Sequence, residues 1–374
     1  MKNLSEIQVD TEALRHNLRS LRCLAPEGVR VAAVVKGNAY GHGLETVVSA
    51  LDGSVDAFQI DDVEELRRLR TFSDRPALVL GYVLETQLED AHALDCELAI
   101  YDAERLPVLQ RLAERTGKRP RLHLKIDALL GRQGVVPRDL DAFLAELRQY
   151  DGLDLVAAYA HFANIEDTTD LSHAWAQVET FEDVFRRLRE GGWPDLGRHV
   201  SATSGVMTVE ANVGTNDLVR LGLGVYGMYP STALSRTHRT MGLRPAIRWV
   251  SHLAQVKTLP ARHPVGYGLT FVTPREMRIG IVPQGYSDGY DRHLSSAGEV
   301  LVGGQRCPVL GRIAMNMFAI DLSEVPEAKA EDEVVLLGKQ GGEHIHAEEL
   351  AQLTGTINYE ITTRICPLLP RVAA

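Results

Sequence analysis

The chain has 374 residues with 40 basic and 50 acidic side chains, a formal charge of −10, and is 45% hydrophobic and 24% charged. These proportions exclude disorder, collagen and coiled coil. An acidic balance without a Lys/Arg block argues against nucleic acid, whose phosphates are bound by clustered positive charge. The opening MKNLSEIQVD lacks a signal-peptide pattern. Charges also interrupt every apolar run before the ~18 residues that a membrane span needs. A cytoplasmic protein with small-molecule partners is expected, with no membrane association. The four cysteines, Cys23, Cys96, Cys307 and Cys366, are too scattered for a zinc site or a disulfide scaffold. His344 and His346 would share one face of a strand, but no third ligand lies nearby and no metal is assigned.

In chain order, the run Glu6 to Val9 has no obvious place in a barrel and is grouped with the second domain. From residue 10, short apolar runs alternate with stretches of helical period, the pattern of βα units and a parallel sheet. Strands are expected at Val31–Val35, Ala57–Ile60, Ala77–Leu80, Glu97–Tyr101, Arg121–Ile126, Leu155–His161, His199–Thr203 and Leu218–Tyr226. Eight strands separated by amphipathic segments such as DVEELRRLR and HAWAQVETFEDVFRRLREGG favour a closed (β/α)8 TIM-type barrel over an open doubly wound sheet. After MYPSTALSRTHRTMG, strand-like runs come one after another, with a helix expected only at HAEELAQLTG. The expected organisation is a barrel over residues 10–234 and a mostly β domain over 235–374, with residues 1–9 added to the latter.

Barrel active sites lie at the C-terminal ends of the strands, which here carry Lys36, Arg132, His161, Thr203, Ser204, Arg220, Gly222 and Leu223. Lys36 comes after five apolar residues. An amine leaving such a buried strand is driven toward its neutral, nucleophilic form and can form an imine, although most lysines at strand ends are simply solvated. His161 on an apolar strand has the ordinary reading of a satisfied core histidine. Arg220 inside LVRLGLGVYG needs a reason, because a buried guanidinium stays charged and must find partners. Small residues after strands seven and eight suit phosphate, and an imine-forming lysine beside a phosphate cradle suggests pyridoxal phosphate.

The motifs AVVKGNAYGHG, GRQG, AHFA, VRLGLGVYG, VGYG, QGYSDGY, GRIAMNM and INYE occur in that order. Through them the chain resembles the alanine racemases, fold-type-III enzymes dependent on pyridoxal phosphate, along nearly its whole length. The resemblance implies that Lys36 holds the cofactor, with Tyr40, Thr203, Gly222, Leu223 and Tyr359 around its phosphate. It implies that Arg220 donates to the pyridine nitrogen and that His161 supports Arg220. Tyr267 would be a second base delivered by the partner subunit of a homodimer with shared active sites. Arg132 would lie near the substrate, and Met315 with Asn316 beside it would lend backbone to the substrate carboxylate. Lys125 matches a lysine that some relatives carry as a carbamate. D-alanine made in this way is a peptidoglycan precursor.

Inverting an α-carbon requires loss of a proton on one face and its return on the other, and Lys36 and Tyr267 are expected to serve opposite faces. Decarboxylases of the same barrel type place a glutamate at the pyridine nitrogen, so Arg220 favours a racemase over that alternative. Ala128, Leu129 and Leu130 stand where many relatives have Thr-Gly-Met. Leu221 replaces a proline, Ala202 an asparagine and Asn316 an aspartate. Alanine is the expected substrate, with a serine or broad-specificity amino-acid racemase as the close alternative.

Overall fold

The computed structural model describes residues 3–166, 168–210 and 216–374. The chain divides into two compact units, one of Leu14–Gly37 and Val47–Arg244, the other of Met1–Ala13, Asn38–Thr46 and Pro245–Ala374.

Strand β1 (Glu6–Val9) belongs to the second of these units. The barrel unit contains β2 (Arg30–Val34), β3 (Ala57–Ile60), β4 (Ala77–Val79), β5 (Glu97–Ile100), β6 (Arg121–Lys125), β7 (Asp154–Tyr159), β8 (Gly197–His199) and β9 (Leu218–Leu221). These eight form one parallel sheet in the order β8-β7-β6-β5-β4-β3-β2-β9. The ends meet through a single bridge between Ala202 and Arg220, supported by hydrogen bonds from Asp217 N–H to Arg198 O and from Arg220 N–H to Ser201 O, both 3.0 Å. The result is the nearly closed (β/α)8 barrel that the alternating pattern predicts. The helix Val63–Arg70 illustrates the packing: Asp62 caps it by accepting from Glu65 N–H, and Val63, Leu66 and Leu69 form its buried stripe.

Along β6, Leu122 and Leu124 alternate with His123 and Lys125, and all four are buried. Successive strand residues point to opposite faces, so one face of this strand is aliphatic and the other cationic or imidazole-bearing. Register sets Tyr159 opposite Lys125 and His199 opposite Tyr159. Part of the barrel is therefore filled by polar side chains instead of the usual branched aliphatics.

The seventh and eighth expected strands fall furthest short of expectation. The seventh ends at His199, not Thr203, because the Asn216 side chain accepts from the N–H groups of Val200 and Ser201 and draws them out of the ladder; Thr203–Gly205 is then helical. The eighth stops at Leu221 because Gly222 adopts φ −113°, ψ −105°, after which Leu223–Tyr226 forms a 3-10 turn.

The other unit continues with β10 (Ile247–His252), β11 (Gln255–Leu259), β12 (Pro264–Val265), β13 (Phe271–Val272), β14 (Met277–Val282), β15 (Glu299–Val302), β16 (Gln305–Leu310), β17 (Phe318–Asp321), β18 (Glu333–Gln340), β19 (Glu343–Ile345) and β20 (Arg371–Ala373). Its main sheet runs β11-β14-β17-β16-β15-β18-β10-β1-β20, with β19 on β18, while β12 and β13 pair apart as a hairpin. Strand β1 is antiparallel to β10 and parallel to β20. Val265, Met277, Ile279, Leu310 and Ala319 form one apolar cluster of this unit. HAEELAQLTG supplies the helix Ala347–Thr354, and a further helix, Asn358–Thr363, was not expected; six residues are too few to show a period. The rings of His344 and His346 stack with centroids 3.7 Å apart. Among the described residues, no helix is long and apolar enough to cross a membrane.

Ile7 is fully buried between two neighbouring strands. Ile7→Ala is expected to destabilise this unit by about 2–5 kcal/mol. Urea unfolding measures it, and a change below about 0.5 kcal/mol, the range of neutral surface substitutions, would contradict the placement.

Candidate active site

In the barrel unit, Val35 continues β2 by donating to Gln59 O (2.8 Å), and Lys36 is the next residue. The amine is not buried as the sequence suggests: its side chain is 43% exposed, and Nζ lies 3.3 Å from Asp61 Oδ1. The strand ends at Val34, so Lys36 emerges past the ladder, where Asp61 from the end of β3 meets it. Asp61 carries no motif that would single it out in the sequence.

Arg220 lies on β9, 4% exposed, paired in register with Ala32 of β2. Its Nη2 donates to Ala160 O (2.8 Å) and Val200 O (2.7 Å) and meets His161 Nδ1 at 3.2 Å; Nη1 meets His199 Nδ1 at 3.2 Å. The guanidinium carbon stands 5.4 Å from the Tyr159 ring centroid. His161 is two residues beyond the end of β7, not on the strand as expected, and reaches Arg220 from the loop. Burial, then the charges of Arg220, Lys125, Arg132 and Lys36, hold its imidazole well below the ordinary histidine range. Burial and the same cations lower Lys125, whose amine sits 4.4 Å above the Tyr159 ring. Lys36, Lys125, Arg132 and Arg220 thus converge electrostatically on one end of the barrel.

Thr203 Oγ1 accepts from the N–H groups of Gly222 (3.1 Å) and Gly224 (3.4 Å), which commits its lone pairs and leaves the hydroxyl proton as a donor. Leu223 is buried beside them. A Cβ at Gly224 would lie 2.8 Å from both Leu21 and Thr203, so the close approach at this turn requires glycine. The GRQG loop bearing exposed Arg132 is anchored by Asp127 Oδ1, which accepts from Leu130 (2.9 Å) and Gly131 (2.8 Å). Gln177, buried on the helix Ser172–Glu190, ties neighbouring loops together: Nε2 donates to Ala128 O (2.5 Å) and His161 O (3.1 Å), and Oε1 accepts from Ala163 N–H (2.8 Å). Neither Gln177 nor His199 stands out by motif.

Tyr40, Tyr267, Met315, Asn316 and Tyr359 belong to the other unit. Asn38, Ala39 and Tyr40 have φ of 52°, 55° and 53°, a left-handed turn costing roughly 1–2 kcal/mol for each residue with a Cβ. Asn38 steadies it by accepting, through Oδ1, from Leu44 N–H at 3.0 Å. At Gly41 a Cβ would fall 1.9 Å from Thr362 O. This contact against Asn358–Thr363 brings the Tyr40 and Tyr359 rings to 6.0 Å. Tyr267 lies on the tip joining β12 to β13, 71% exposed, between Gly266 (φ 73°) and Gly268 (φ 72°). Met315 O accepts from Ser287 N–H (3.0 Å) and Ser287 Oγ (2.9 Å), and Asn316 Nδ2 donates to Ser287 Oγ (2.7 Å).

Comparison with known proteins gives two family matches: residues 9–230 match the alanine racemase N-terminal domain, and residues 246–373 match the alanine racemase C-terminal domain. Alanine racemase 2 of Caldanaerobacter subterraneus subsp. tengcongensis is 35% identical over 371 residues, covering 98% of this chain and 94% of the relative. Alanine racemase of Syntrophobacter fumaroxidans is 38% identical over 361 residues, covering 96% of this chain and 94% of the relative. Among solved structures, alanine racemase from D-cycloserine-producing Streptomyces lavendulae superposes with a TM-score of 0.93 at 33% identity, covering 100% of this chain and 98% of that one.

Burial also holds His199 well below the ordinary histidine value. Below pH ~6.5 the unfolded chain protonates at His161 and His199 while the folded chain does not, so stability must fall on acidification. The depressed carboxylates lose their contribution only at lower pH, below about 4.5. Urea unfolding between pH 7.5 and 5.5 should show stability decreasing, each imidazole adding a slope of up to about 1.4 kcal/mol per pH unit. A flat or rising profile would contradict neutral burial of these rings.

Proposed function

This chain belongs to the alanine racemase family, and on that premise we propose that it interconverts L-alanine and D-alanine with pyridoxal phosphate, using Lys36 and Tyr267 as bases on opposite faces. The observation that carries the reading is Arg220: a buried guanidinium held by two carbonyls and two imidazole nitrogens, on the strand paired with the one that leads into Lys36.

The residues fit the cofactor. Thr203 offers a hydroxyl proton at a glycine-lined turn, suited to a phosphate oxygen. Gly222 and Leu223 form that turn, and Tyr40 and Tyr359 supply phenolic hydroxyls for the same phosphate. The convergent cations favour a ligand carrying several negative charges. When bound, the cofactor supplies an electron sink for the α-carbon.

The chain's own groups do the rest. Lys36 Nζ holds the cofactor and exchanges a proton with the α-carbon on one face, and Asp61 orients that amine beforehand. Tyr267 Oη, delivered by the partner copy of a homodimer, exchanges a proton on the other face. Its exposure on a hairpin tip suits such delivery. Arg220 would hold the ring nitrogen with a proton that it cannot readily surrender, which would restrain the electron sink and favour return of the proton to the α-carbon. His161 supports that arginine. Arg132 meets the substrate side, and the Met315 backbone with Asn316 receives the carboxylate.

The test is loss of optical rotation with L-alanine, L-serine and larger amino acids, using protein purified with its yellow chromophore. Lys36→Ala should lose activity by at least ~10³-fold, consistent with removal of an acid–base group. Tyr267→Phe should impair one direction of proton transfer far more than the other, read from solvent-deuterium incorporation. Mixing the two inactive variants should restore partial activity if sites are shared between subunits. A colourless protein with no pyridoxyl adduct at Lys36 after borohydride treatment would overturn the reading. Faster turnover of serine than of alanine would move the substrate assignment to the close alternative.

A further inference from the structure

The hydrogen bonds of Arg220 do not end at its immediate partners. His199 Nε2 lies 2.8 Å from His123 Nδ1, and His123 Nε2 lies 2.7 Å from Glu97 Oε2. Glu97 Oε1 is ion-paired with Arg121, its register neighbour at the start of β6. The chain of contacts Arg220–His199–His123–Glu97 therefore crosses from β9 through β8 and β6 to the first residue of β5. Side-chain exposure is 7% at His123 and 12% at Glu97, and His199 is 1% exposed as a residue.

Every proton along this path is assignable from donor chemistry alone. A guanidinium has five donors and no acceptor, so the His199 Nδ1 that faces Arg220 must present a lone pair. A neutral imidazole then carries its hydrogen on Nε2, which donates to His123 Nδ1. That nitrogen must in turn be a lone pair, which places the His123 hydrogen on Nε2, donating to the Glu97 carboxylate. Carboxylates accept only, so the path ends consistently. Reversing one tautomer would set donor against donor at a buried contact and propagate to both ends. The Tyr159 ring stacks on His199 at 4.7 Å and 12°, which restrains the imidazole plane but imposes no tautomer.

We propose that Glu97 is a positioning residue for the racemase site: through His123 it secures, from the far end of the path, the Nε2–H tautomer of His199 that Arg220 demands from the near end, and so the lone pair against which the guanidinium is oriented. The consequence for catalysis rests on the reading that Arg220 faces the cofactor ring; the tautomer assignment does not. Burial of His199 beside Arg220, which disfavours its charged form, agrees with a neutral ring. The Glu97 carboxyl is pushed up by burial, but the His123 hydrogen bond and the charge of Arg121 act against this, and the balance lies below the ordinary carboxylate value, as a terminal acceptor requires.

The experiment is long-range ¹H–¹⁵N correlation on histidine-labelled protein, with and without added pyridoxal phosphate, together with titration of the cofactor's visible absorption. Wild type should show His123 and His199 neutral with hydrogen on Nε2. Glu97→Leu removes the terminal acceptor, leaves Arg220 as the one remaining constraint on the path, and should let the His199 hydrogen populate Nδ1 alongside Nε2, shift the absorption band and weaken cofactor binding at least tenfold. Arg121→Met removes only the ion pair and should keep the wild-type tautomers, with binding changed less than twofold. If Glu97→Leu does not fold, Glu97→Gln combined with Arg121→Met decides, because one amide oxygen can still accept from His123 and should preserve the pattern. Wild-type His199 protonated on Nδ1 or doubly protonated would overturn the proposal. So would unchanged tautomers in Glu97→Leu, or the full loss appearing in Arg121→Met. Failure of wild type to bind pyridoxal phosphate would sink the functional reading while leaving the tautomer result intact.

Discussion

A guanidinium cannot shed its proton to escape burial, so Arg220 obliges the barrel around it to be built from acceptors. Two carbonyls, Ala160 and Val200, come from segments just past β7 and β8, and two imidazoles come from the same neighbourhood. This single requirement explains why β8 is short: Val200 has left the ladder, and its carbonyl turns to the arginine instead of a strand. It also explains His199 and, behind it, His123 in the barrel interior, since an aliphatic in place of either would leave a buried donor unmatched. Burial first, and then the charge of Arg220, disfavours the charged forms of Lys125, His161 and His199.

The other unit stores strain where the barrel stores charge. The left-handed turn at 38–40 is unfavourable for Ala39 and Tyr40, and it persists because Asn38 and the close contact of Gly41 with Thr362 over-determine it. That turn aims Tyr40 toward Tyr359 on a six-residue helix. The hairpin tip carrying Tyr267 is likewise set by glycines at positive φ on both sides. In both features, residues at positive φ set the direction of one phenol each.

Much of this was legible in the residues themselves. Eight apolar runs with helical stripes between them specified the barrel, because the period of each run and the count of runs leave few architectures. The second unit announced itself by the loss of helical period. What escaped were features decided by tertiary partners: Asn216 stripping N–H groups from β8, Gly222 breaking β9, and Asp61 meeting Lys36 outside the buried strand. The polar lining was readable in principle. In Arg121–Lys125 every second residue is polar in a strand flanked by helical segments, so His123 and Lys125, past the exposed first residue, must turn inward, where only partners in the barrel can satisfy them. The roles of Lys36, Tyr267, Met315 and Tyr359 came through motif resemblance, since nothing in their spacing identifies a cofactor.

Strand β1 lies between β10 and β20, partners some 240 and 360 positions further along the chain. During synthesis these residues emerge before the barrel and before both partners, while the barrel can assemble from largely neighbouring βα units. The sheet therefore lacks its edge strand β20, and β1 one of its two partners, until translation has passed residue 373. A ribosome stalled between the end of the barrel unit at Arg244 and that point would carry a finished barrel tethered to an unpaired β-edge, a form exposed to aggregation and to chaperone capture.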